Sequence, residues 1–296
     1  MNAVMTKSGA LLLLHFIVFI WGFTGILGKE ISLQSQDLVW WRMAIAALSL
    51  GIWALWKKSD LAVSSQDLKL YFLVGTITAA HWICFFESIK VSNVSTALAV
   101  ISTTSFFIAI VGPIIRRTAF IWRELALGIL VIIGLFIIFK FEPDKTWGII
   151  FSLMAALFAA IFSSYNSVLV KEKPPVQIAF YEMIAGVIVL TGYLVVKKWD
   201  LGMDQWIVIP GARDFGLLLI LGILATAFAF VVSIEIMRVL TPFTCALTIN
   251  LEPLYTILMA LFLYRDDEFM SPQFYIGATL ILSTVFVESL FLYKKK

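Results

Sequence analysis

Two long stretches of the sequence contain no charged residue and no histidine. They are residues 91–115 and 147–170, and each is longer than the roughly 20 helical residues that cross the hydrocarbon core of a bilayer. An amphipathic surface helix would need a charged face, which neither stretch offers. Both stretches are therefore predicted to be membrane-spanning helices.

Composition extends this prediction to most of the chain. Hydrophobic residues make up 61% of the 296 residues, charged residues make up 14%, and the mean hydropathy is +0.98, whereas soluble domains carry about 25% charged residues. The first apolar stretch is interpreted as a retained span, because it is too long for the core of a signal peptide and lacks a small-residue cleavage site. Ten spans are predicted: residues 10–28, 38–56, 69–88, 92–115, 120–139, 147–170, 176–196, 215–237, 242–264 and 272–292.

Short polar connections join the predicted spans and leave no room for a domain outside the membrane. No basic tract indicates a nucleic-acid partner, and Cys84 and Cys245 lie inside apolar stretches, where they are interpreted as small buried residues. The nearest approach to a metal motif is Asp266-Asp267-Glu268, which is interpreted as a solvated loop. The lipid bilayer is therefore an expected partner, and no metal or other cofactor is expected.

The distribution of lysine and arginine predicts the orientation of the chain. If both termini are cytoplasmic, thirteen of these residues fall in the cytoplasmic connections and tails and eight fall on the other side. Cytoplasmic connections of membrane proteins carry the excess of positive charge. We therefore expect an integral membrane protein of the bacterial cytoplasmic (inner) membrane with both termini in the cytoplasm.

The sequence repeats itself at about half its length. A shift of 148 residues places Ile89-Lys90-Val91 on Met237-Arg238-Val239 and Thr96 on Thr244. The halves, residues 1–140 and 141–296, each hold five predicted spans, so the second half must enter the membrane from the opposite side. Inverted repeats of this kind are typical of transporters that open alternately to the two sides. The predicted fold class is all-α integral membrane, with ten transmembrane helices as two inverted five-helix repeats around a central cavity.

Four landmarks follow one another along the chain. They are Ile20-Trp21-Gly22-Phe23 in the first span, Trp40-Trp41-Arg42 in the second, Ser88-Ile89-Lys90-Val91-Ser92 before the fourth and Thr248-Ile249-Asn250-Leu251-Glu252-Pro253-Leu254 in the ninth. In this order they resemble the EamA-type members of the drug/metabolite transporter superfamily. The resemblance covers both halves and implies five plus five inverted helices around a cavity and the export of amino acids or other small metabolites. Thr104-Ser105 stands where the family has a first Glu-Pro pair, and only Glu252-Pro253 is retained.

Ionisable residues inside a span need a partner or a function, because each costs about 2.5 to 3.5 kcal/mol to insert. Arg42 and Glu182 lie at equivalent places in the two halves and are interpreted as structural charges that snorkel or pair with helix ends. Glu252 precedes Pro253, which lacks an N–H and bends the helix. Either this kink is only structural, or it forms a binding site in a discontinuous helix.

Further polar and aromatic residues inside the spans could line a transport pathway. His15 and His81 could carry a coupling proton or could only pack, and the aromatic residues could line a cavity for apolar or zwitterionic solutes. The hydroxyl residues of the fourth span could equally join helices to one another. The candidates for the pathway are His15, Trp21, His81, Trp82, Thr96, Ser102, Thr103, Tyr165, Asn166, Thr248, Asn250 and Glu252.

The sequence thus predicts a secondary transporter, an exporter of amino acids or other small organic metabolites that works by alternating access. The alternative is a membrane-embedded enzyme acting on lipid or prenyl substrates, although no HExxH, Gly-x-Ser-x-Gly or aspartate-rich motif supports it. The expected partners are a small-molecule solute, the bilayer and protons as the coupling ion, with no nucleic acid. The expected state is a monomer or a weak homo-oligomer.

Overall fold

The computed structural model describes residues 5–141, 143–202, 205–264 and 270–294, and these residues are almost entirely helical. No β-strand occurs in the described ranges. A 3-10 turn, Pro143–Lys145, joins the two halves, and a π-helix, Ile220–Phe228, separates α9 from α10. The α-helices are α1 Lys7–Glu30, α2 Ser35–Lys57, α3 Ser65–Val91, α4 Val94–Ile101, α5 Thr104–Arg116, α6 Trp122–Phe141, α7 Thr146–Leu169, α8 Pro175–Leu201, α9 Ala212–Leu219, α10 Ala229–Ile236, α11 Pro242–Ile249, α12 Glu252–Leu263 and α13 Pro272–Lys294.

Seven helical stretches of the described chain are long and apolar enough to cross a membrane. They are α1, α2, α3, α4 with α5, α7, α8, and α9 with the π-helix and α10. The three other predicted spans fall on α6, on α11 with α12, and on α13. The helical membrane character is therefore confirmed, whereas ten crossings stay a prediction.

The helix of the ninth predicted span is broken directly before Glu252. The α11 helix ends at Ile249, a turn follows at Asn250 and Leu251, and α12 begins at Glu252. The cause is Pro253, which has no N–H to donate back along the helix. This break agrees with the kink predicted from the Glu-Pro pair.

The fourth predicted span is also broken, which the sequence did not lead us to expect. The α4 helix ends at Ile101 and α5 begins at Thr104, 148 residues before the equivalent break. Here four consecutive hydroxyl groups, those of residues 102–105, donate to backbone carbonyls three or four residues earlier at 2.7 to 3.2 Å. Such bonds compete with the helical amides and bend a helix, so a hydroxyl run takes the place of the missing proline.

The packing of helices is similar in the two halves. The α3 helix packs on α7 and α10 packs on α1, while α5 packs on α7 and α12 packs on α1. Two further contacts join helices at the same place in each half, α2 with α8 and α6 with α13. At the second of these, a Cβ on Gly134 or Gly277 would lie 2.6 to 2.7 Å from the carbonyl oxygen of the other residue. Only glycine allows the two backbones this close.

Contacts between loops fall into two groups, one at each end of the bundle. At one end Lys173 binds Asp67 at 2.5 Å and Arg238 donates to the carbonyl of Lys173 at 3.2 Å. At the other end the Glu30 carboxylate binds Arg213 and accepts a hydrogen bond from the Tyr264 hydroxyl. These groups are the ones that alternate crossing requires. The assignment of the Lys173 end to the cytoplasm stays a prediction from the charge distribution.

Candidate functional site

A partly enclosed cavity lies between the two halves of the chain. It offers about 120 Å³ to the centres of water molecules. Its walls come from α1, α3, α4, α5, α7, α10, α11 and α12, together with one residue each from α2 and the π-helix. The lining residues are Leu14, Trp21, Thr24, Arg42, His81, Trp82, Phe85, Ile101, Ser102, Thr104, Ile108, Ala159, Phe162, Ser163, Asn166, Ala225, Phe230, Ser233, Met237, Pro242, Cys245, Ala246, Ile249, Asn250, Glu252 and Pro253.

Both helix breaks open onto this cavity. Ser102 and Thr104 line it from the first break, and Asn250 and Glu252 line it from the second. The two breaks also touch, because the Asn250 amide donates to the Ser105 hydroxyl at 3.4 Å. Broken helices are tolerated in a membrane where their backbone faces protein or a polar cavity, and that condition is met here.

Arg42 is held on the cavity wall by groups of the second half. Its side chain is only 3% exposed, its Nε donates to the Thr226 hydroxyl at 2.6 Å, and its guanidinium lies 4.0 Å from the ring centroid of Trp82. A desolvated cation over an indole ring gains about 2 kcal/mol. The expectation that Arg42 snorkels or pairs with a helix end is thus corrected, since its side chain is buried and reaches a partner on the π-helix.

The π-helix explains how two cavity residues find their partners. Thr226 donates back to the carbonyl of Leu221, five residues earlier, at 2.7 Å. The carbonyl of Ala225 in the same segment accepts a hydrogen bond from the Trp21 indole at 2.9 Å. Short π-segments occur often at functional sites. Here the segment positions both Trp21 and Arg42.

Glu252 brings a carboxyl group into the same cavity. It is buried at the start of α12, its side chain interacts with that of Thr24, and it interacts electrostatically with Arg42. Within the described part of the chain no salt bridge joins Arg42 and Glu252, because Arg42 is bonded to Thr226 instead. The cavity therefore presents a cation and a carboxyl group that do not saturate one another.

An aromatic wall completes the cavity. The rings of His81, Phe162 and Phe230 form a chain with centroid distances of 5.3 and 6.0 Å, and Trp82 packs on Phe230 at 5.8 Å. The Nδ1 of His81 lies 2.8 Å from the carbonyl of Ala155. A carbonyl only accepts, so Nδ1 carries the proton and Nε2 keeps its lone pair. These rings form an apolar surface beside the charged groups.

Asn166 connects the cavity wall to a second carboxyl group. Its side chain lines the cavity, and its Nδ2 donates to Oε2 of Glu182 at 3.3 Å. Glu182 is fully buried behind the wall. The expectation of snorkelling at Glu182 is corrected as well, since its partner is a neutral amide on α7.

Comparison with known proteins was made on the whole chain. The model of the EamA-like transporter family matches residues 8–140 and 146–290. The chain belongs to this family. It is accordingly an integral membrane transporter, with a small-molecule solute and membrane lipid as partners.

Relatives of this family member share a fifth to a quarter of its residues. It is 22% identical over 262 residues to a Bacillus subtilis (strain 168) protein named "Uncharacterized transporter YxxF", covering 86% of this chain and 81% of the relative. It is 25% identical over 231 residues to "Pseudopaline exporter CntI" of Pseudomonas aeruginosa (strain ATCC 15692), covering 75% of each. A crystal structure with 14% identity superimposes with a TM-score of 0.71 over 97% of this chain and 99% of the other. The last likeness shows the fold alone.

Within this EamA-like fold, seven of the twelve predicted pathway residues line the cavity and five do not. Trp21, His81, Trp82, Ser102, Asn166, Asn250 and Glu252 line it. His15 is exposed on the outer surface of α1, where Leu12, Phe16 and Phe19 are also exposed. Thr96 is fully buried, Tyr165 is half-buried, and the hydroxyls of Thr103 and Thr248 bond to carbonyls of their own helices. The structure thus separates these five from the cavity of the EamA-like fold.

Several lining residues were not predicted. Phe85, Phe162 and Phe230 are phenylalanines inside apolar spans, where nothing in the sequence separates a cavity side from a lipid side. Thr24 and Thr226 are single hydroxyl residues of the same kind. Asp266-Asp267-Glu268 lies outside the described residues.

Proposed function

We propose that the chain is a secondary transporter that exports a small organic solute carrying both a carboxylate and an amino group. The observation that carries this proposal is the cavity in which Arg42 and Glu252 stand on different helices without a salt bridge between them. A buried charge without a full partner is costly, and a zwitterionic solute can offset the cost of both. Amino acids and related metabolites have these two groups.

The solute binds between two halves that open alternately to the two sides of the membrane. We propose ten spans in two inverted repeats, residues 1–140 and 141–296. The support is the matched packing of α3 on α7 and α10 on α1, together with the equivalent breaks in two spans. Sites formed by broken helices between inverted repeats are a recurring design of alternating-access carriers.

Each group of residues in the cavity has a role in this proposal. Arg42 faces the carboxylate of the solute, Glu252 faces its amino group, and Asn250 and Ser102 donate and accept neutral hydrogen bonds. Trp21, His81 and Trp82 cover its apolar part. The direction of export is supported by the name of the Pseudomonas aeruginosa relative, which exports pseudopaline. We further propose location in the bacterial cytoplasmic membrane, cytoplasmic termini and a monomer or weak homo-oligomer.

Transport by the purified protein in liposomes tests this function. Labelled amino acids, neutral amines, simple carboxylates and pseudopaline are each offered with and without a pH gradient. We expect uptake or exchange of at least one zwitterion, and no uptake of the matched amine or carboxylate that lacks the second charge. The control variant is Glu235→Gln, because Glu235 is partly exposed and paired with Arg238 outside the cavity.

Two results would contradict the proposal. If solutes with one charge are carried as well as the zwitterion, the paired roles of Arg42 and Glu252 are wrong. If no solute moves, while substitution of His81 or Glu252 abolishes turnover of a lipid or prenyl substrate in membranes, the protein is an enzyme.

A further inference from the structure

Two buried acceptor atoms outside the cavity share one unsatisfied contact. Oε1 of Glu182 and Oδ1 of Asn166 have no hydrogen-bond partner among the described residues. Both atoms belong to the pair already joined by the bond from Asn166 Nδ2 to Glu182 Oε2. A buried acceptor without a donor costs about 1 to 3 kcal/mol, and here two of them occur on touching side chains.

One proton satisfies both atoms. An ionised carboxylate can only accept, whereas a protonated one donates through its O–H. If Oε1 carries the proton, it donates to Oδ1 of Asn166, while Nδ2 of Asn166 continues to donate to Oε2. The two side chains then form a closed acid–amide pair in which every buried oxygen has a partner.

The surroundings of Glu182 supply no cation that would hold an ionised carboxylate. The helices packed on α8 are α2, α3 and α10, and α7 carries Asn166. On these described helices the titratable group that interacts electrostatically with Glu182 is the Tyr71 hydroxyl, which bonds to Gln177. Arg42 and His81 face the cavity instead. On the α3 side Gly75 allows the backbones to touch, since a Cβ there would collide with the backbone of Glu182.

We propose that Glu182 and Asn166 form a proton-binding site that is coupled to the solute cavity. Asn166 is shared between the two sites, because its side chain lines the cavity and also binds Glu182. A solute carboxylate or carbonyl that takes the Asn166 amide opens the pair. The O–H bond of Glu182 then breaks, its electron pair stays on Oε1, and the proton leaves through the cavity to water.

This coupling rests on the proposed transport function, and its sign follows from linkage. A solute that lowers the affinity of Glu182 for its proton must bind less well when that proton is present. Binding of solute and binding of the proton therefore exclude one another at Asn166. In a carrier this produces exchange of solute for a proton, which is the requirement for export driven by a proton gradient.

The proton site itself is tested without any solute. Infrared difference spectra are recorded at pH 7 on the purified protein in liposomes, in the carbonyl region of protonated carboxylic acids. We expect a band that Glu182→Gln removes, that Asn166→Ala shifts to higher frequency, and that the control Glu235→Gln leaves unchanged. Asn166→Ala keeps the carboxyl in place, so its result stands even if Glu182→Gln folds poorly. A spectrum that Glu182→Gln does not alter would overturn the proton site.

Coupling is tested with the zwitterion that the liposome panel identifies. Liposomes containing a pH-sensitive dye report proton movement during transport. Wild-type protein is expected to move protons against the solute, and Glu182→Gln is expected to keep downhill exchange but lose proton movement. Solute transport without proton movement in the wild type would overturn the coupling and leave the transporter function intact. If no zwitterion moves, the transporter function fails, and the infrared result still decides the proton site.

Discussion

Arg42 and Glu252 are fixed to the cavity by different means. The guanidinium of Arg42 is held from two sides, by the hydroxyl of Thr226 and by the ring of Trp82. Glu252 depends on the start of α12 and on Thr24. The cation is therefore the more rigid of the two groups, and Glu252 is the better position for a substitution that changes charge while preserving shape.

Glu252→Gln is predicted to weaken binding of a zwitterionic solute. A hydrogen bond to a charged group contributes about 1.5 to 3 kcal/mol, so the affinity should fall about tenfold to a hundredfold. The loss arises because the amide of glutamine cannot attract the ammonium group of the solute. The measurement is competition for uptake in liposomes by the zwitterion and by its uncharged analogue.

The analogue without an ammonium group provides the internal control for Glu252→Gln. Its binding should be unchanged within about twofold, because it makes no ionic contact with Glu252. Equal losses for both compounds would mean that Glu252 supports the structure of α12 rather than the solute.

At the scale of elements, α3 and α8 meet through glycine. A Cβ at residue 75 would collide with the backbone of Glu182 and lie 2.8 Å from Cβ of Ala185. Gly192 is also on α8, yet nothing lies within 4 Å of a Cβ at that residue. The two positions therefore form a matched pair, one tightly packed and one open.

Gly75→Ala is predicted to destabilise the protein by about 1 to 3 kcal/mol, the usual cost of overpacking a close contact. Gly192→Ala should leave the stability equal or raise it by up to about 1 kcal/mol, because alanine favours the helix. Thermal unfolding in detergent compares the two variants with the wild type. A lower midpoint for Gly192→Ala than for Gly75→Ala would show that the α3–α8 contact is looser than described.

The hydroxyl run of the fourth span gives a second prediction for an element. Replacing Ser102 and Ser105 by alanine and Thr103 and Thr104 by valine removes the four back-bonds. The break should then close into regular helix, since the competing donors are absent. We expect slower amide hydrogen exchange at residues 102–105 and a loss of transport.

Thr76→Val is the control for this change. Its hydroxyl also donates to a carbonyl of its own helix, that of Phe72, at 2.7 Å, but it lies in the unbroken α3. Transport and exchange should match the wild type. Unchanged exchange at residues 102–105 in the fourfold variant would mean that tertiary packing, rather than the hydroxyl groups, breaks the helix.

For the whole molecule, the two groups of loop contacts allow the orientation to be measured. Lys171 and Ala212 are exposed at opposite ends of the bundle, and the native Cys84 and Cys245 are buried. In a background with both cysteines replaced by alanine, Ala212→Cys should react with an impermeant maleimide in intact cells. Lys171→Cys should react only after the membrane is opened. The reverse pattern would contradict cytoplasmic termini.

The sequence was sufficient for the features that depend on composition and proline. The helical membrane character and the EamA-type resemblance are confirmed, and Pro253 correctly indicated the break before Glu252. The break at residues 102–103 was missed because hydroxyl residues are also common in continuous helices. The π-helix was missed because Ile220–Phe228 contains no proline or hydroxyl run.

Which side of a span faces the cavity was harder to predict. His15 and His81 are both histidines inside apolar spans, yet one is exposed on the surface and the other lines the cavity. In a membrane the apolar side chains face lipid as well as the core, so hydrophobic periodicity does not separate the two sides. Contacts between distant helices decide the matter, such as that of Arg42 with Thr226.

The two helix breaks are equivalent in position but not in chemistry. One is made by a proline with an acid beside it, and the other by hydroxyl groups alone. In a carrier with two identical halves, the inward-open and outward-open forms would have equal free energies. This chain lacks that degeneracy, so the empty carrier rests preferentially open to one compartment, and the bias is encoded in a single unmatched carboxyl group.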